Sequence, residues 1–157
     1  ASGTWEPQGA FADLRGARVL ALDDEADATG LLRAVLEAAG AEVATFSSAQ
    51  LAFEQLGTIA PDVMIVDLGM PGMDGFEFIS RVRASENPAI RDVPAAALTA
   101  FARSDDRTRA LQAGFELHLA KPVDPAELVA AIVTLNRQAV RARAQHRAVE
   151  SRAPLPD

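Results

Sequence analysis

Four short apolar runs in this chain end on side chains suited to holding a divalent cation and a phosphoryl group. Asp23-Asp24 follow Val19-Leu20-Ala21-Leu22, and Asp67 follows Val63-Met64-Ile65-Val66. Thr99 follows Pro94-Ala95-Ala96-Ala97-Leu98, and Lys121, the chain's only lysine, follows Phe115-Glu116-Leu117-His118-Leu119-Ala120. Adjacent carboxylates facing a third repel one another, which raises their proton affinity unless a cation compensates. Mg2+ suits such a set, because it takes oxygen ligands, keeps several waters and needs only one or two carboxylates directly. Mn2+ is the alternative. Asp67 stands alone at its run's end, where a carboxylate beside a cation can attack phosphorus and hold an acyl phosphate.

Phosphoryl transfer asks mainly for positioning and charge neutralisation. The Lys121 ammonium, the Thr99 hydroxyl and a backbone amide near Ala100 would bind the transferred oxygens. Gly69 has no side chain, so its carbonyl could approach a metal, although residues 70–75 also read as an ordinary strand-to-helix loop. Each residue has a plain alternative: a helix cap for Asp23-Asp24, a solvated loop acid for Asp67, a turn bond for Thr99, a packed stem for Lys121. Those alternatives leave the coordinated placement unexplained. The Lys121-Pro122 bond can be cis, which would aim the ammonium back over the site.

These side chains meet only if the four runs are parallel strands that stop at one sheet edge. The pattern supports that. The run ending at Leu22 precedes a helical spacing at Leu31, Leu32, Val35, Leu36 and Ala39, stopped by Gly40. A strand at 42–46 precedes a helix opening at Ser47-Ser48 and running to about Leu56. Pro61-Asp62 introduce the third strand, a helix spans 76–83, and Asn87-Pro88 mark a turn. A fourth strand at 94–98, a helix from Ser104 to near Gly114 and a fifth strand reaching Ala120 follow. Pro125 suits a helix start, and Leu128, Ile132, Val133 and Leu135 give that helix an apolar face.

Strict β-α alternation predicts an α/β fold: a three-layer, doubly wound, five-stranded parallel sheet of order 2-1-3-4-5. Its crevice lies beyond strands 1 and 3, which carry the acids. Residues 1–15 read as a linker or remnant with Trp5 and Phe11, 16–137 as the folded domain, and 138–157 as a helical extension and tail.

Composition narrows the chemistry. The 157 residues are 49% hydrophobic and 24% charged, as in a soluble globular domain, and no run approaches the roughly 20 apolar residues of a membrane span. Absence of cysteine removes thiol chemistry and disulfides, and two isolated histidines make no metal cage. A net charge of −7 opposes DNA as the main partner. No secretion signal is evident, so the expected location is cytoplasmic.

Taken together, Leu22-Asp23-Asp24-Glu25, the stretch from Val66-Asp67 to Asp74-Gly75, Leu98-Thr99-Ala100 and Lys121-Pro122 resemble the receiver domains of two-component response regulators. The resemblance covers about residues 18–135. It implies Asp67 as phosphoacceptor, supplied by a phosphohistidine on a sensor histidine kinase or a histidine phosphotransfer protein. It implies Asp24 and the Gly69 carbonyl as direct metal ligands, Asp23 acting mainly through water, Thr99 as switch hydroxyl and Lys121 as phosphate-binding lysine. The stretches 76–83 and 97–122 look most like receivers appended to hybrid sensor kinases. Residues 136–157 are too short for a helix-turn-helix unit; their arginines read as a solvated helix extension or a docking segment.

One departure concerns His118, where many receivers carry a tyrosine or phenylalanine that rotates inward on activation. It reads as a half-buried histidine with a satisfied ring nitrogen, or as a rotor whose inward state depends on protonation. Ala100 and Phe101 complete the expected switch region, Phe101 standing close enough to shade an acyl phosphate. The face made by the Ser104 helix, the fifth strand and the last helix would change on switching, and could carry a homodimer. Three rivals compete. A haloacid-dehalogenase-like phosphatase resembles this arrangement but has a second acid where Gly69 stands. A flavin or nucleotide domain wants a phosphate loop where Asp23-Asp24-Glu25 would repel phosphate. A phosphorylation-independent interaction module would typically lack one of the acids or the lysine, and none is missing.

Overall fold

The computed structural model describes residues 14–70, 72–100 and 104–151, the side chains of 104–105 and 146–151 excepted. Five strands, β1 (Arg18–Leu22), β2 (Glu42–Phe46), β3 (Val63–Asp67), β4 (Ala95–Thr99) and β5 (Leu117–Ala120), form one parallel sheet of order β2-β1-β3-β4-β5. The α/β architecture and strand order expected from the alternation are those found. β3 and β4 are buried along their whole length, which is why both read as unbroken apolar runs.

Among the described residues six helices flank the sheet: α1 (Ala26–Ala38), α2 (Ala49–Ile59), α3 (Gly75–Arg83), α4 (Pro88–Arg91), α5 (Ser104–Ala113) and α6 (Pro125–Ser151). Strand side chains alternate between two cores. Leu20, Leu22, Met64 and Val66 pack with Leu56 of α2 and Phe78, Ile79 and Val82 of α3. Val19, Ala21 and Ile65 pack on the other face with Leu32 and Leu36 of α1 and Leu128, Ile132 and Leu135 of α6. The cap of α2 is Ser48, whose hydroxyl accepts from the Leu51 N–H at 3.3 Å.

Three details differ from the sequence reading. Asn87-Pro88 opens a single helical turn rather than a plain turn: Asn87 Oδ1 accepts from the Ala89 N–H at 3.0 Å, and proline occupies the first helical position. Leu14, placed in the leading linker, is fully buried and donates its N–H to the Ala39 carbonyl. The helical extension past Leu135 is not simply solvated: Ala139 is buried and Arg143 meets Asp62 at 2.7 Å, so it rests on the entry end of β3. Trp5, Phe11, Phe101 and the side chain of His146 lie outside the described residues.

Arg83, at the end of α3, ties together the entries of β4 and β5. Its guanidinium donates to the carbonyls of Arg91 (2.7 Å), Val93 (2.6 Å) and Gly114 (2.9 Å) and meets Glu116 at 3.1 Å. Glu116 in turn accepts from the Ala95 N–H at 2.6 Å. Burial pushes the Glu116 carboxyl above its ordinary range and pulls the Arg83 guanidinium down. Gly114 is essential to the fit: its φ is +122°, and an added Cβ would lie 2.9 Å from Arg83 Cγ. Gly114→Ala is expected to lower unfolding free energy by about 1–3 kcal/mol, read by urea denaturation.

Candidate functional site

All four polar run ends emerge at the carboxyl edge of the sheet, beyond the reversal in strand order. Asp23 follows β1, Asp67 closes β3, Thr99 closes β4, and Lys121 follows β5. The register brings Asp67 beside Leu98 and Thr99 beside Ala120. Lys121 is fixed partly by its own backbone, whose N–H donates to the Thr99 carbonyl at 2.8 Å, and the Lys121-Pro122 peptide is cis.

The lysine reaches across to both buried acids. Lys121 Nζ lies 2.8 Å from Asp23 Oδ2 and 3.3 Å from Asp67 Oδ2. Asp23 is 0% exposed and Asp67 5%, while Thr99 is buried beside them. The remaining carboxylate oxygens are held by the main chain: Asp23 Oδ1 accepts from the Glu25 N–H at 3.0 Å, and Asp67 Oδ1 from the Gly69 N–H at 3.1 Å. Both bonds are local Asx-type turns that aim the acids into one space.

One ammonium faces two buried carboxylates, so charge is not balanced. Burial raises the Asp67 pKa above its ordinary 3.8, and the Asp23 charge adds to this; the Gly69 N–H and Lys121 oppose it without cancelling it. Burial alone would lower Lys121, but hydrogen bonding to Asp23 and the charges of both acids hold it above 10.5.

Asp24 is exposed at the rim, yet offers a carboxylate oxygen to the same cluster. One oxygen each from Asp23, Asp24 and Asp67 lie within 4.8 Å of one another. The set fits a hard divalent cation on two counts. Its donors are all oxygens, and the two buried carboxylates share a single ammonium, which leaves negative charge for a cation to offset. Gly69 is exposed, and an added Cβ would sit 3.8 Å from Asp67 Oδ1, ordinary van der Waals contact. The Asp67 oxygen therefore does not forbid a side chain at 69. A groove of about 370 Å3 opens beside the acids, lined by Leu31, Leu32, Leu98 and Pro122 among others.

Of the switch candidates, Ala100 is exposed next to Thr99. His118 is half-buried, paired in register with Ala97, and its Nε2 is buried without a hydrogen-bond partner among the described residues. Sequence reasoning passed over Gly75, whose close approach to Asp67 has the Asp74-Gly75 pair as its only signal.

Among the described residues no helix is long and apolar enough to cross a membrane. Comparison with known proteins agrees with the geometry. The family model described as response regulator receiver domain matches residues 19–133. An uncharacterised 14.6 kDa protein of Leptolyngbya boryana is 47% identical over 111 residues, which is 71% of this chain and 83% of that one. The transcriptional regulatory protein PrrA of Mycobacterium tuberculosis is 37% identical over 121 residues, 77% of this chain and 50% of PrrA. The chain thus spans half the length of that regulator. Among solved structures, the chemotaxis protein CheY4 of Vibrio cholerae aligns with a TM-score of 0.70 at 29% identity, covering 76% of this chain and 98% of CheY4. With that match laid over a sheet edge carrying these acids and this lysine, the chain belongs to the response regulator receiver domains of two-component signal transduction.

Proposed function

We propose that this receiver takes a phosphoryl group onto Asp67 from a phosphohistidine and thereby switches its surface. The observation that supports this reading is the approach of Lys121 Nζ to Asp67 Oδ2 and Asp23 Oδ2, with Asp24 at the rim of the same cluster. A carboxylate oxygen of Asp67 attacks phosphorus, the P–N bond of the donor breaks, and the departing imidazole keeps the electron pair and takes a proton from water. Lys121 neutralises phosphoryl oxygens as they arrive, and the Thr99 hydroxyl binds another. Asp23, Asp24, Asp67 and the Gly69 carbonyl would hold Mg2+ or Mn2+, which supplies charge neutralisation on the transferred oxygens when bound. Hydrolysis of the acyl phosphate by water resets the domain; no turnover of external phosphate esters is proposed.

The donor is a sensor histidine kinase or a histidine phosphotransfer protein. In a hybrid kinase it would be part of the same polypeptide, and for a stand-alone regulator a separate one; the chemistry is the same. The apolar groove with half-exposed Leu31 beside the acids offers the approach surface. Switching would act through the face of α5, β5 and α6, where a homodimer could form. The absence of direct DNA contact fits a chain of net charge −7, and the location proposed is cytoplasmic.

Incubation with phosphoramidate and Mg2+ is expected to add one phosphoryl mass to the intact wild-type chain and none to Asp67→Asn. Equal uptake by both proteins, read by intact-mass spectrometry, contradicts the assignment.

A further inference from the structure

Gly75 opens α3, eight residues after Asp67 in sequence but pressed against its main chain in space. A Cβ built on Gly75 would stand 2.6 Å from the Asp67 carbonyl oxygen and 2.9 Å from Leu68 Cα. Both are backbone atoms, so neither can swing aside as a flexible side chain would. A methyl group would have to open the first gap from 2.6 Å to at least 3.0 Å.

Neither partner has slack to absorb that movement. On the strand side, the Leu68 N–H donates to the Leu98 carbonyl at 2.9 Å, tying the end of β3 to β4. On the helix side, Asp74 caps α3 by accepting from the Glu77 N–H at 2.9 Å. Phe78, Ile79 and Val82 are fully buried, and Arg83 is clamped at the helix's far end. Phe76 adds a surface tie, with Arg109 Cζ of α5 4.0 Å from its ring centroid. Part of the displacement must therefore fall on the Asp67-Leu68 peptide, and the Asp67 side chain it carries lies 3.3 Å from Lys121 Nζ.

We propose that Gly75 is a positioning residue for phosphoryl transfer: its missing side chain lets α3 brace the Asp67 main chain, and so sets where the Asp67 carboxylate sits. This rests on the Asp67 reading above. Misplacement of a reacting group by about 1 Å costs roughly 100-fold in rate. A shift of several tenths of an ångström is therefore expected to slow transfer by about 10-fold or more.

The test compares wild type, Gly75→Ala and Gly114→Ala at 10 °C, with phosphoramidate varied at saturating Mg2+. Gly114→Ala strains the backbone at the opposite end of the sheet and serves as the matched destabilised control. The expected result is a Gly75→Ala chain that folds by circular dichroism, half-saturates at the same phosphoramidate concentration, and reacts at least about 10-fold more slowly at saturation. Gly114→Ala should keep the wild-type saturated rate. Both variants are repeated on Gly57→Ala, an open helical site where alanine adds stability.

A Gly75→Ala rate equal to wild type, or a loss no larger than that of Gly114→Ala, overturns the positioning role. A Gly75→Ala chain still unfolded on Gly57→Ala makes Gly75 a residue of the fold alone, and also overturns it. If wild type takes up no phosphoryl group, the Asp67 reading falls and this one falls with it; the two failures are distinct.

Discussion

Asp67→Asn is expected to make the metal-free protein more stable at neutral pH, by about 0.5–2 kcal/mol, while removing its ability to take a phosphoryl group. The reason is electrostatic. Two buried carboxylates share one ammonium, and burial, with the Asp23 charge, holds the Asp67 pKa above its ordinary 3.8. An acid with a raised folded-state pKa binds its proton more tightly when folded. Ionised Asp67 therefore costs stability at every pH above its folded value. That cost fades as pH falls through the folded pKa and is gone below 3.8. The stability gain of the asparagine variant should accordingly be larger at pH 7 than near pH 4, measured as thermal midpoints in chelator. Added Mg2+ should stabilise wild type by mass action and the variant less, narrowing the gap. A variant less stable than wild type at pH 7 in chelator, with a gap independent of pH, would contradict the charge imbalance inferred at the site.

The second large effect lies away from the acids. Arg83→Ala is expected to lower stability by about 3–5 kcal/mol, since it strips three carbonyls of their donor and leaves Glu116 part-buried without its cation. Burial already raises Glu116 above 4.5, and losing Arg83 removes a charge that opposes this. The deficit should therefore shrink as pH falls through the folded-state pKa of Glu116 toward 4.5, where protonation removes the unpaired charge. Adding Glu116→Gln to Arg83→Ala should recover part of the loss at pH 7. Urea denaturation of the four proteins of this cycle at pH 5 and pH 7 reads both effects. Additive losses with no pH dependence would mean that the carbonyl contacts alone matter.

Much of the acid-lysine site was legible because a parallel sheet converts sequence into place. Each strand ends at the same edge, so a polar residue closing an apolar run is assigned a location by topology alone. Asp23, Asp67, Thr99 and Lys121 follow that rule. The sheet order came from the same β-α alternation. Contacts between elements did not. Gly75 looked like one more turn glycine; its need for a bare Cα comes from the angle at which α3 meets β3. Nothing in the spacing singled out Arg83 or Glu116, because each is explained only by the other. The burial of Leu14 and the packing of the α6 extension at Ala139 and Arg143 depended on which surface happened to be free to receive them, information that periodicity does not hold. His118 stood out by its departure from the family pattern, yet that its Nε2 lacks a partner among the described residues required coordinates.

The most direct measurement of the central claim starts from a purified histidine phosphotransfer protein carrying a radiolabelled phosphoryl group. It is mixed with this chain in Mg2+, and the acceptor residue is mapped after borohydride trapping. Label should move to the wild-type chain and map to Asp67, with none reaching Asp67→Asn and little reaching Lys121→Ala. Label that maps elsewhere, or that reaches Asp67→Asn as readily as wild type, would contradict it.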